Sequence, residues 1–181
     1  MASLFRPGTE LMVQYAGYHR DRRNIATHCV GIPLIVFALG VLLARPAVAL
    51  GGVALTPAWA LWGLATLWYL SRGHLLIGVA VSAASAVLFA LAQPLGAAST
   101  AAWLAWGVGC FVVGWIVQFV GHYYEGRKPA FTDDLVGLLV GPMFVVAEAL
   151  FALGWCRALF TEIERRVGPT VLRDLHVPAM R

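Results

Sequence analysis

Five stretches of the chain are apolar at nearly every position, and charge, proline or glycine bounds each of them. They cover residues 30–43, 58–70, 75–91, 101–120 and 135–155. Apolarity that is continuous rather than one-faced marks helices that are wrapped by other helices or by lipid. Residues 10–23 follow a different pattern. Leu11, Tyr15 and Tyr18 recur along one stripe with His19 beside them, which predicts an amphipathic helix at a membrane surface. Asn24 is placed to cap a new helix that runs through His28 into the first apolar stretch. A break between the two helices matters, because one unbroken helix would aim positions 19 and 28 about 180° apart. Pro33 falls inside the first span. The second stretch, with Trp59, Trp62 and Trp68, reads as short or tilted, and Ser71–His74 as a tight turn into the third. Residues 93–100 form an uncharged loop, and no internal repeat stands out.

Composition turns the pattern into a class. Of 181 residues, 60% are hydrophobic and 12% charged, with a mean hydropathy of +0.78. A soluble domain carries about 45–50% apolar and about 25% charged residues. The expectation is an all-α integral membrane bundle: about four transmembrane helices, a broken or re-entrant C-terminal hairpin and the N-terminal amphipathic helix. It forms one domain over residues 1–181, divided into an interfacial helix (10–23), a membrane bundle (24–155) and a polar tail (156–181), with no room for a separate soluble domain. Residues 1–27 lack the apolar core of a signal peptide. The three cysteines show no CxxC spacing and read as small buried hydrophobes.

The formal charge is +4, from 13 Lys+Arg against 9 Asp+Glu. The basic residues sit beside apolar segments, so they read as topology determinants and lipid-headgroup contacts, not as a nucleic-acid surface. Placing Arg20, Arg22 and Arg23 in the cytoplasm also places Arg72, Arg127 and Lys128 there, with Arg45 outside. A fifth full crossing by residues 135–155 would export Arg157, Arg165, Arg166, Arg173 and Arg181. A hairpin broken at Gly141-Pro142, with both termini cytoplasmic, avoids this.

The chemistry concentrates where apolar runs end. Gln118, His122 and Glu125 are spaced i, i+4, i+7 and share one helical face, followed at once by Arg127 and Lys128. A polar stripe at that depth is costly unless its members have partners. A single histidine in such a place is commonly just hydrogen-bonded, but His19 and His28 supply two more from the N-terminal segment. The two segments are expected to meet around one metal. His74, in a turn, reads as interfacial, and His176, in the polar tail, as plain surface. Glu148, embedded in an apolar run, is a candidate by its position alone. Asp133 and Asp134 suit either solvation or a helix cap. Two or three imidazoles plus a carboxylate, with open positions, suit Fe(II) or Zn(II), and spacing leaves both open.

Two patterns together resemble a known family. Tyr18-His19, Asn24, His28, Gly31 and Pro33 form the first. Gln118-Phe119, Gly121-His122, Glu125, Arg127-Lys128-Pro129-Ala130 and Asp133, followed by Pro142 and Glu148, form the second. They resemble the membrane-bound 2-hydroxy fatty acid dioxygenases of α-oxidation, over about residues 10–155. The resemblance implies an Fe(II) enzyme, with His19, His28 and His122 as ligands, that shortens a long-chain 2-hydroxy fatty acid by one carbon using O₂. Glu125 and Glu148 compete for a further role, because the family often has its glutamate four residues after the histidine and here it lies three after. The resemblance also implies support from Asn24, Gln118 and Asp133. Arg20, Arg22, Arg23, Arg127 and Lys128 lie where a fatty-acid carboxylate would arrive, and orienting the chain in the membrane is their alternative role. The site would face the cytoplasm, in a bacterial inner membrane or an endoplasmic reticulum. No nicotinamide fingerprint is present. A di-iron lipid hydroxylase needs a larger histidine set than the five present, and a non-catalytic scaffold or small transporter is the remaining class.

Overall fold

The computed structural model describes residues 4–51, 53–129 and 135–176. Among them, seven α-helices carry the fold: α1 (Gly8–Ala16), α2 (Arg22–Leu42), α3 (Pro57–Leu70), α4 (Leu75–Ala92), α5 (Thr100–Glu125), α6 (Gly137–Ala152) and α7 (Arg157–Val167). A small antiparallel hairpin, β1 (Val48–Leu50) and β2 (Val53–Leu55), joins α2 to α3, and a 3-10 turn (Gln93–Ala97) follows α4. The architecture is an all-α, membrane-like bundle.

Helices α2 to α5 run up and down between two ends. At one end lie His28, His74 and His122. At the other, Leu43 C=O accepts the Ala58 N–H (3.1 Å), and Thr56 Oγ1 donates to Gln93 Oε1 (3.1 Å). Helix α3 returns to the histidine end, where Tyr69 Oη donates to Leu139 C=O (3.1 Å) and Arg72 C=O accepts the Gly8 N–H (2.8 Å). Among the described residues, three helices are long and apolar enough to cross a membrane: Arg22–Leu42, Leu75–Ala97 and Thr100–Glu125. The expected second span is a helix of 14 residues. At about 1.5 Å per residue it covers about 21 Å, less than the ~30 Å hydrocarbon core. The chain between it and α2 forms the β-hairpin instead.

The longest pairing is α2 against α5, and small residues set its distance. A Cβ on Gly114 would lie 2.9 Å from Gly31 C=O, and one on Gly107 would overlap Leu42. One on Gly121 would run into Thr27 Oγ1 and Asn24 Oδ1. Glycines at 107, 114 and 121 recur every seven residues, so α5 presents backbone to α2 along its whole length. Van der Waals contact at this range is what joins helices when lipid supplies no hydrophobic contrast.

Three expectations are corrected. Asp21, not Asn24, caps α2: its side chain accepts the Arg23 N–H (2.8 Å). That moves the helix start three residues earlier and leaves Asn24 for other partners. The N-terminal helix ends at Ala16 rather than reaching residue 23, and its apolar side packs into the bundle. Leu11, Met12, Val13, Tyr15 and Ala16 are buried in a core shared with Trp68, Ile77, Phe144 and Leu159. The C-terminal break is not at Gly141-Pro142, because α6 runs through both. Gly141 instead admits Tyr15 and Ile32 against α6, where a Cβ would lie 3.2 Å from Tyr15 Oη and 3.0 Å from Ile32 Cδ1. Pro142 removes one hydrogen bond near the helix start, which packing tolerates. The turn comes at residues 153–156, where α6 and α7 meet at 112°. There Trp155 N–H donates to Leu150 C=O (2.8 Å), Gly154 N–H donates to Phe151 C=O (2.9 Å), and Gly154 adopts φ +83°. This is a Schellman stop built on a left-handed glycine.

Candidate metal centre

Three histidines from three places in the chain converge inside the bundle. His19 comes from the turn after α1, His28 from the second turn of α2 and His122 from the last turn of α5. All are buried, His19 completely. One nitrogen from each lies within 4.8 Å of the others, and ring centroids are 4.4 to 5.1 Å apart.

Backbone carbonyls orient two of the rings. His19 Nδ1 lies 2.7 Å from Tyr15 C=O, and His28 Nδ1 lies 2.9 Å from Asn24 C=O. A carbonyl only accepts, so both Nδ1 atoms carry the proton and both Nε2 atoms keep a lone pair. Those two Nε2 atoms are 3.1 Å apart. Two lone pairs at that range repel unless a cation lies between them. The separation suits two nitrogen ligands held about 2.1 Å from one ion. Burial holds the His19 imidazole well below its usual value, so it is neutral and available as a ligand. Tyr15 stacks on His19 (4.2 Å between centroids, 9° between planes), and Phe144 closes in at 5.4 Å. The residues present therefore fit a metal ion.

Glu125 and Asn24 hold the loop that carries His19. Both Glu125 oxygens accept the Arg20 N–H (3.0 Å each), and Oε2 also accepts the Asp21 N–H (2.8 Å) and Asn24 Nδ2 (3.0 Å). Asn24 Nδ2 reaches Tyr18 C=O as well (3.2 Å). These bonds turn the backbone between α1 and α2 so that His19 faces His28. Glu125 thus lies beside the centre with its oxygens on backbone N–H groups and the Asn24 amide, outside the three-histidine group. Glu148, half-buried on α6, interacts with Arg20 and is also outside the group.

The cationic residues separate into two sets. Arg20 donates to His19 C=O (3.1 Å) and Gly168 C=O (2.8 Å). Arg23 donates to Asp21 and Arg173 C=O and stacks over Tyr124. Arg22 donates to Thr170 Oγ1 (3.4 Å). These three fasten the His19 loop to the C-terminal segment. Arg127, whose guanidinium donates to Gly17 C=O (2.7 Å), lines a surface pocket with Arg173, Gly126 and His122, and Lys128 is exposed beside it. Gln118 is buried one turn below His122 and faces a large apolar cavity of about 320 Å³. His28, His122 and Tyr15 line the same cavity. Asp133 lies outside the described residues. His74 pairs with Thr9 Oγ1 (2.8 Å), and His176 is exposed.

Two participants escaped the sequence reading. Tyr15 reads from the sequence as one position of an apolar stripe, and only the turn after α1 brings its ring onto His19. Residues 168–173 belong to the stretch 156–181 that the sequence marks only as a polar tail. They instead dock on the His19 loop: Val171 N–H donates to Arg20 C=O (2.8 Å), Arg22 N–H to Val171 C=O (2.9 Å) and Arg173 N–H to Asp21 Oδ2 (2.8 Å). Nothing in their composition signals that.

A family model described as 2-hydroxy-palmitic acid dioxygenase Mpo1-like matches residues 5–153. The chain is also 32% identical over 154 residues to the 2-hydroxy-palmitic acid dioxygenase MPO1 of Saccharomyces cerevisiae, covering 83% of each protein. No solved structure matches. A match over most of the chain, carried by a sequence whose three histidines meet in one buried cluster, means that this protein belongs to the Mpo1-like family of 2-hydroxy-palmitic acid dioxygenases.

Proposed function

We propose that the chain is an Fe(II)-dependent dioxygenase that converts a long-chain 2-hydroxy fatty acid and O₂ into the fatty acid one carbon shorter and CO₂. The observation that carries this reading is the pair of facing Nε2 lone pairs, joined by His122, at the head of an apolar cavity. The reaction balances as R–CHOH–COOH + O₂ → R–COOH + CO₂ + H₂O. All four electrons come from the substrate, so no nicotinamide, flavin or 2-oxoglutarate is consumed. His19, His28 and His122 would hold the ion. Ferrous iron, unlike zinc, supplies the redox step that O₂ requires, and three neutral imidazoles leave positions open for substrate.

The protein's own groups account for the rest. Burial pushes the Tyr15 phenol up, so it stays a hydrogen-bond donor at the cavity head. Gln118 offers both a donor and an acceptor there. Arg127 and Arg173 place positive charge at the surface pocket beside His122, where an anionic carboxylate would enter. The apolar walls keep water from the reacting end and receive the acyl chain.

Purified protein with Fe(II), O₂ and a long-chain 2-hydroxy acid is expected to release CO₂ and the shortened acid without a stoichiometric reductant. A substrate that chelates through its carboxylate and 2-hydroxyl makes both groups indispensable. The plain acid and the 3-hydroxy isomer are therefore expected to react slower by ~10⁴-fold or more. A requirement for NADH or 2-oxoglutarate in equal amounts would identify a hydroxylase instead. Equal turnover of the plain acid would remove the chelation argument.

A further inference from the structure

The apolar cavity has a depth as well as a head. His28 on α2 and His122 on α5 mark its head, while Leu39 on α2, Phe111 on α5 and Phe89 on α4 lie at its far end. From His28 to Leu39, and from His122 to Phe111, is eleven residues along each helix. At 1.5 Å per residue the floor lies about 16 Å below the histidines. Phe89 is buried, and the backbone of α2 fixes its ring: a Cβ on Gly40 would sit 3.0 Å from Phe89 Cδ1. The floor is therefore rigid aromatic surface, not a flexible plug.

We propose that Phe89 and Phe111 form a ruler that sets the longest acyl chain the site accepts. This rests on the dioxygenase reading given above. An extended alkyl chain, with bonds of about 1.5 Å and angles of about 111°, advances about 1.25 Å per carbon. About thirteen carbons then fit between the chelating head and the floor, for a whole acid of about fifteen. Beyond that length, each added carbon must bend back or leave the tunnel. Ser85, half-buried and one helical turn above Phe89, lines the same wall, so a larger side chain there raises the floor.

The test is a homologous series of 2-hydroxy acids, lengthened two carbons at a time, on wild-type, Phe89→Ala, Phe111→Ala and Ser85→Leu proteins. A buried methylene is worth a factor of about four in affinity. Opening the floor is thus expected to raise kcat/KM about 15-fold for acids two carbons beyond the wild-type limit, with little change for shorter ones. Ser85→Leu raises the floor by about 6 Å and is expected to move the limit down by about five carbons. It deletes no core contact, so it tests the ruler even if an alanine variant folds poorly. Thermal stabilisation by plain fatty acids of graded length, which are expected to bind without reacting, gives a second reading independent of turnover and should shift in the same order. An unchanged chain-length profile in all three variants overturns the ruler while wild-type turnover upholds the reaction. Wild-type protein inert towards every 2-hydroxy acid, but with the stabilisation profile shifted as described, overturns the reaction and retains the ruler.

Discussion

Single residues divide into those that would hold a metal and those that place them. His19→Ala, His28→Ala and His122→Ala are each expected to lose iron and activity, since two ligands leave a weak site, whereas His74→Ala retains iron; metal analysis of purified variants checks this. Full iron occupancy in His122→Ala would defeat the assignment. Asp21 acts one step back. Burial pushes its carboxyl up, but the Arg23 guanidinium and the N–H groups of Arg173 and Arg23 outweigh that and hold it at about 2. A carboxyl below its unfolded value of 3.8 stabilises the fold fully above about pH 4, and that contribution is lost as pH falls towards 2. Asp21→Asn is expected to cost roughly 2 kcal/mol at pH 7 and progressively less below pH 4, as denaturant melts across pH would record. An equal cost at pH 7 and pH 2.5 would mean that shape, not charge, makes the difference. The histidines were legible because polar residues stand out in apolar runs. Asp21 was not, because a cap three residues before Asn24 is equally plausible until the chain's other end arrives to bind it.

At the scale of elements, local signals placed most helices, and long-range contacts decided their ends. Continuous apolarity located α2, α4 and α5, and Ser99, within the expected loop, caps α5 by accepting the Ala102 N–H (3.2 Å). Gly141-Pro142 misled because glycine and proline punctuate soluble helices. Here the glycine serves close packing against Tyr15, and the stop falls at Gly154, which also had the residue type for it. The docked tail carried no local signal at all, since its bonds run from backbone to residues about 150 positions away. Removing residues 168–181 leaves Arg20, Arg22, Arg23 and Asp21 without those partners while sparing every helix. Such a truncation is expected to keep its helical circular dichroism but to bind iron about 10–100-fold more weakly, the usual cost of losing support behind metal ligands. Wild-type iron affinity in the truncated protein would make the tail a passenger.

For the whole molecule, the arrangement of the elements bears on which side of a membrane the site faces. Helices α2 to α5 make four passes between the two ends, so the chain enters and leaves the bundle at the histidine end. Arg20, Arg22, Arg23, Arg72 and Arg127 cluster there. Arg45 lies at the opposite end, donating to Gly96 C=O (2.7 Å) and Ala98 C=O and stacking near Trp103. Helix α6 has 16 residues and is followed by a bend of 112°, so α6 and α7 do not form one straight crossing. Its partners, Tyr69, Tyr15, His19 and Arg20, all belong to the histidine end, which places it across that end rather than through the bundle. Basic residues near the ends of spans are retained in the cytoplasm, so the histidine end and both termini are expected to be cytoplasmic. Topology reporters fused to Met1 and to Arg181 test this: both are expected to report cytoplasm. An external signal from Arg181 would require α6 and α7 to straighten into a further crossing, and would carry Arg173 away from the Asp21 carboxylate that its backbone N–H now meets at 2.8 Å.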